Sequence, residues 1–164
     1  GPLSNPANTK RQLVGVFDQK WCRPLAEVFG KLGAQHVWVV HGMDGMDELT
    51  ISGPSYVSCY NNGEITDFEV RPEDAKLKSQ DIKQLRGGDP LTNSKAILSL
   101  LEGKKSAYQD VVVLNTAATL IVGGKVKTLS EGSELAIGAI YSGKAQETLQ
   151  KLIKTSNRKL SEEA

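Results

Sequence analysis

The chain has 164 residues, 39% of them apolar and 24% charged, with a formal net charge of +1. Such values describe one ordinary globular domain, or most of one, and exclude a disordered or low-complexity chain. Lysines and arginines interleaved with acids argue against nucleic acid as a partner, and the lack of an apolar stretch approaching about 18 residues argues against a membrane span.

Cys22 and Cys59 are far apart and lack metal-ligand spacing, so two free thiols in a reducing, cytoplasmic setting are expected. The chain opens on Gly1 rather than Met and shows no charged-then-apolar leader, as a processed, trimmed or partial chain would.

Leu13 to Phe17 (LVGVF) is a short apolar run between polar neighbours and predicts a strand. Leu25, Val28, Phe29 and Leu32 then recur at i, i+3, i+4 and i+7, the stripe of a helix packed on a core. Pro24 suits its first turn and Gly33 its end. The β-branched run Val37 to Val40 predicts a second strand. Strand, helix and strand so close together form a βαβ unit, with parallel strands and a right-handed crossover. Tyr56 to Tyr60 and Glu64 to Val70 flank Asn61-Asn62-Gly63, a hairpin signal because Asn and Gly tolerate positive φ. Glu73 to Gln84 reads as a polar loop with a short helical piece.

The remainder reads as helical. Asp89-Pro90 is a cap followed by proline at the first helical position, leading into Ala96, Ile97, Leu100 and Leu101. Ala107 to Val122 is apolar on nearly every side, so that helix should be central and buried, ending at Gly123-Gly124. Thr128 with Glu131 forms a capping box for a helix running to about Ser142. Gly143 breaks the chain before a last helix with Leu149, Leu152 and Ile153, and the tail 159–164 should fray. The fold class is therefore α/β: a partial parallel/mixed sheet with a βαβ unit and an antiparallel hairpin, then a helical C-terminal half. The strands are too few to close an ordinary α/β sheet.

The chemistry concentrates in HVWVVHGMDGMDEL, His36 to Leu49, where a buried strand ends in a Gly-rich turn bearing Asp44, Asp47 and Glu48. Ligands of open α/β sheets gather at the carboxyl ends of strands, and adjacent carboxylates are the hard oxygen donors that Mg²⁺ takes alongside waters and phosphates. On local pattern alone, turn and cap chemistry is the better account of Asp44 and Asp47. Asp47 and Glu48 follow the strand end directly and are the best metal candidates. Gly87-Gly88-Asp89 resembles a phosphate loop, but Asp89 would place a carboxylate where the phosphate goes, so capping is the better account. His41 reads as a structural hydrogen-bonder. Asp110 and Asn115 read as partners of buried polar groups, and Ser52, Ser55 and Cys59 lack a paired base.

Four segments, GPLSNPANTKRQLVGV (Gly1 to Val16), VWVVHGMDGMDELT (Val37 to Thr50), GGDPLTNSKAIL (Gly87 to Leu98) and VVLNTAATLIVGGK (Val112 to Lys125), in this order, resemble anthranilate phosphoribosyltransferase. That family joins the amine of anthranilate to C1 of phosphoribosyl diphosphate and expels Mg-bound diphosphate, in tryptophan biosynthesis. The resemblance implies a helical domain plus an α/β domain like that of the pyrimidine nucleoside phosphorylases, and a homodimer for the complete enzyme. It assigns Mg²⁺ to Asp47 and Glu48, and it places Pro2 beside the anthranilate pocket. The family's helical domain, Gly-rich diphosphate loop, Lys-His-Gly-Asn segment and anthranilate-binding Arg all precede the G-P-L segment. Residues 1–158 therefore look like the C-terminal part of the α/β domain, inactive alone and liable to pair with itself or with the missing half. The alternatives are a pyrimidine nucleoside phosphorylase-like enzyme and a non-enzymatic, nucleic-acid-binding relative of the same fold.

Overall fold

A computed structural model describes residues 2–157; Gly1 and the tail expected to fray lie outside them. The elements run β1 (Arg11–Gly15), α1 (Cys22–Lys31), β2 (His36–Gly42), β3 (Ser55–Asn61), β4 (Glu64–Val70), α2 (Pro90–Leu101), α3 (Ala107–Val122), α4 (Leu129–Tyr141) and α5 (Lys144–Ser156). The sheet order is β1-β2-β3-β4, with β1 and β2 parallel and the other pairs antiparallel. The mixed sheet is thus the one expected.

Side chains alternate across a strand, and that alternation divides the core into two. Val37 and Val39 face α1, packing with Val14, Cys22, Ala26 and Phe29. Trp38 and Val40 face the other way and join Leu49, Ile51, Val57 and the α3 residues Val111, Leu114, Ala117 and Ala118. Trp38 also meets Phe68 of β4 edge-on, with ring centroids 5.2 Å apart. The result is three layers, α1 on one face of the sheet and α3 with α4 on the other.

Local signals set the element ends. Asn62 and Gly63 form the hairpin turn with φ of 47° and 105°, between the paired Asn61 and Glu64. The Asp89 carboxylate accepts from the Thr92 amide at 2.7 Å and caps α2. At α4, the Thr128 hydroxyl accepts from the Glu131 amide at 3.2 Å while the Glu131 carboxylate accepts from the Thr128 amide at 3.1 Å. Thr128→Ala should remove half of that reciprocal cap and lower stability by about 1 kcal/mol. A urea midpoint that does not move would show the box to be unimportant.

Two expectations need correction. The α1 stripe is only half as expected: Phe29 is buried and Leu25 half-buried against the same cluster, but Val28 and Leu32 are 36% and 57% exposed, and Cys22 and Ala26 are buried in their place. Small residues let α1 lie close on the sheet, so its larger aliphatics turn outward. β1 begins two residues earlier than the apolar run and ends before Phe17, which is 74% exposed. Arg11 and Gln12 are polar yet paired with His36 and Val37, because the pairing is made by backbone and Arg11 also donates to the Val122 carbonyl at 2.9 Å, at the end of α3. α3 matches its predicted limits, with Val113, Leu114, Ala117 and Ala118 all at most 1% exposed.

Candidate functional site

β2 ends at Gly42, and the chain then folds on itself. The Gly42 amide donates to the Met46 carbonyl at 2.8 Å and the Gly45 amide to the Gly42 carbonyl at 2.8 Å, with Gly45 at φ 97°. The Asp44 carboxylate sits inside this turn and accepts from the Met46 amide at 3.2 Å, the Thr50 hydroxyl at 2.6 Å and the Ser52 hydroxyl. Partial burial alone would raise the Asp44 carboxyl, but the bonds from Ser52, Thr50 and Met46 hold it below the usual aspartate range. For Asp44 the turn-chemistry reading is therefore the right one. Ser55, buried, accepts from the Thr50 amide at 2.9 Å and is likewise structural.

Asp47 and Glu48 differ from Asp44. Neither is in an ion pair among the described residues, and both reach solvent. With Leu13, Gly15, Val40 and Asn115 they line an open cleft of about 360 Å³ beside the C-terminal ends of β1 and β2. Burial first, and the Asp47 charge second, push the Glu48 carboxyl above its ordinary value. Two adjacent carboxylates that repel one another favour a cation between them.

The pair is anchored by the residues that follow it and by two distant parts of the chain. Leu49 and Ile51, just after it, are completely buried. Against it lies Gly15, whose missing side chain makes room for the turn: a β-carbon there would lie 1.5 Å from the Asp47 carbonyl oxygen. Asn115, from the middle of α3, bonds the Leu49 peptide groups. Its Oδ1 accepts from the Leu49 amide at 3.0 Å, and its Nδ2 donates to the Leu49 and Val111 carbonyls at 2.9 Å each.

The donor set suits Mg²⁺. Hard carboxylate oxygens at a solvent-open cleft can supply part of an octahedral shell, the rest coming from water and phosphate. Among the described residues no cluster of three or more His, Cys, Asp or Glu side chains could hold a metal without such help.

The other candidates fall outside this cleft. Pro2 is exposed and lines a separate small pocket with Leu3, Asn8, Lys10 and Phe29, which shares no residue with the carboxylate cleft. His41 donates from Nδ1 to the Val16 carbonyl at 2.8 Å, the structural role expected of it. Asp110 pairs with Gln80, and its carboxyl is pushed up by burial. Gly15 and Asn115 were not foreseen as walls of the cleft; the signal for Asn115 was an amide in the middle of an otherwise apolar helix. Cys22 and Cys59 are both free and buried, and burial pushes the Cys22 thiol up to about 11. No helix among the described residues is long and apolar enough to cross a membrane.

Helices on both faces of a four-stranded mixed sheet, with a carboxylate turn at the strand ends, make this an α/β domain with an open acidic cleft. The chain belongs to the glycosyl transferase family: the sequence profile of its a/b domain matches residues 1–146. The anthranilate phosphoribosyltransferase of Parvibaculum lavamentivorans is 56% identical over 159 residues, covering 97% of this chain and 47% of that protein. The enzyme of the same name from Paramagnetospirillum magneticum is 52% identical over 158 residues, covering 96% and 46%. The Thermus thermophilus anthranilate phosphoribosyltransferase structure matches with a TM-score of 0.84 at 36% identity, over 92% of this chain and 44% of that one. A Saccharomyces cerevisiae anthranilate phosphoribosyltransferase, solved in complex with PRPP and Mg, shares the fold with a TM-score of 0.84 and 22% identity. The chain spans about half the length of the curated relatives it matches, over their C-terminal part.

Proposed function

We propose that this chain is the metal-binding part of an anthranilate phosphoribosyltransferase, the enzyme that transfers phosphoribosyl from phosphoribosyl diphosphate to anthranilate in tryptophan biosynthesis. On this reading residues 1–158 form the C-terminal part of the α/β domain, and the complete enzyme is a cytoplasmic homodimer. The observation that carries the proposal is the Asp47–Glu48 pair, free of ion pairs among the described residues and lining a cleft at the strand ends. The similarity to anthranilate phosphoribosyltransferases over nearly the whole chain supports the choice of substrates.

The reaction forms a bond from the anthranilate nitrogen to C1 of the ribose as the bond from C1 to the diphosphate oxygen breaks, with a proton leaving the amine. The transition state has a cationic ribosyl centre and a departing anion, so catalysis consists mainly of positioning and of neutralising that anion. Mg²⁺, when bound, would supply positive charge against the diphosphate. Asp47 and Glu48 would hold the ion at the strand ends, while Leu49 and Ile51 fix the turn that carries them. Attack comes from the substrate's own amine, so no base on this chain is called for. Pro2, in its separate pocket, is the anthranilate-side residue of this reading.

Manganese, with the same preference for oxygen donors, makes the site visible by electron paramagnetic resonance. Titration of the chain with Mn²⁺ should show one bound ion, and Asp47→Asn with Glu48→Gln should abolish it. Equal binding by wild type and the double variant would remove the metal from this cleft. The purified chain supplied with anthranilate and phosphoribosyl diphosphate should form no fluorescent phosphoribosyl-anthranilate, because the relatives devote as much length again to the rest of the enzyme. Product formation by the chain alone would overturn that part.

A further inference from the structure

We infer that Asn115 is a positioning residue for the carboxylate turn, fixing where Asp47 and Glu48 present their oxygens; the inference rests on the metal-binding reading of the cleft. The amide meets both polar groups of one residue, Leu49, taking its N–H at 3.0 Å and giving an N–H to its carbonyl at 2.9 Å. A second N–H goes to the Val111 carbonyl one helical turn back, also at 2.9 Å. Two donors and an acceptor are in use at once, and this fixes the plane of the amide. The contact spans 66 residues of sequence, so it ties the turn after β2 to the middle of the most buried helix.

The arrangement specifies asparagine. Aspartate has the same shape but no donors, and would set its charge against two carbonyl oxygens. Leucine matches the volume and leaves the buried Leu49 peptide groups without partners. Glutamine is one methylene too long for the same three bonds. Leu49 is 0% exposed, so water cannot take over from the lost amide. Glu48 immediately precedes Leu49, and a shift at the Leu49 peptide moves it directly. Asn115 itself lines the cleft with both acids. Residues that orient metal ligands in this way typically change metal affinity by about 10- to 100-fold when removed.

The test compares two variants of α3 in the full 164-residue chain. Asn115→Leu should weaken Mn²⁺ binding about tenfold or more, while far-UV circular dichroism stays that of the wild type. Val113→Ala truncates a buried residue packed on the α4 side with Leu100, Ala136 and Ile140. It should lower thermal stability yet leave the Mn²⁺ affinity unchanged, which separates positioning from general loosening of the helix. Two measurements on the wild type stand whether or not the leucine variant folds. The Leu49 amide should exchange with deuterium as slowly as the core amides of α3, and Mn²⁺ should broaden the side-chain NH₂ signals of Asn115. Wild-type binding with an unchanged affinity in Asn115→Leu, or a Leu49 amide exchanging at the rate of the surrounding loop, would overturn the inference and leave the metal site standing. Wild type that binds no Mn²⁺ would overturn the metal site itself, and the inference with it.

Discussion

Replacing Asp47 by alanine, in a transferase of the relatives' full length that carries this chain, is expected to lower kcat by about 10²-fold or more. The magnitude is that of removing one preorganised group that meets charge in the transition state, here by loosening the cation that would face the departing diphosphate. The dependence on Mg²⁺ should change as well, with saturation moving to higher concentration because Glu48 alone would hold the ion. Stability should be nearly untouched, since the Asp47 side chain is exposed and makes no ion pair among the described residues. Asp44→Ala should behave differently: it would empty the hydrogen-bonded centre of the turn and lower stability together with activity. An Asp47→Ala enzyme with ordinary turnover and an unaltered Mg²⁺ titration would eliminate the proposed role.

Gly15→Ala is expected to have a comparable effect without altering any charge. The added β-carbon would lie 1.5 Å from the Asp47 carbonyl oxygen and 2.5 Å from its carbonyl carbon. Those atoms are backbone and cannot swing aside as a flexible side-chain end would, so either β1 or the turn must move. Overpacking of this kind costs about 1–3 kcal/mol of stability. Displacing the carboxylates by about 1 Å is enough for a loss near 10² in activity. The control is Gly53→Ala, where no atom lies within 4 Å of an added methyl. Thermal melts and steady-state kinetics on the two variants decide the matter: if Gly15→Ala is as silent as Gly53→Ala, the close approach of turn and strand is of no consequence.

The parts of the fold that were legible in the sequence are those decided within a few residues. Asn62-Gly63, Asp89-Pro90 and the Thr128–Glu131 box each state a backbone geometry locally, and the apolar run of α3 marks both of its ends. The buried side of α1 was legible only in part. Periodicity found Phe29 but favoured Val28 and Leu32, where contact with the sheet selected Cys22 and Ala26. For a related reason β1 lies two residues earlier than its apolar run and β2 extends past its run at both ends: Arg11, Gln12, His36 and His41 join strands through their backbones, to which an apolar-run criterion is blind.

The site divides in the same way. A turn of three acids after a buried strand was visible, and the resemblance to a family singled out Asp47 and Glu48. What no local pattern could supply was the separation of roles within the turn. Asp44 is consumed by Thr50, Ser52 and Met46, whereas its two neighbours are left to the cleft. Nor could spacing reveal that Gly15 and Asn115, one about thirty residues before the turn and the other 66 residues past Leu49, both close on it.

The hydroxyls gathered on Asp44 have a thermodynamic consequence. They shape the loop with bonds internal to the protein, so its form is already set before any ion arrives. Association with a divalent cation then involves little ordering of the chain, and the binding free energy is not spent on arresting a mobile segment. Calorimetry should accordingly record a small heat-capacity change, and the empty and occupied loops should superimpose.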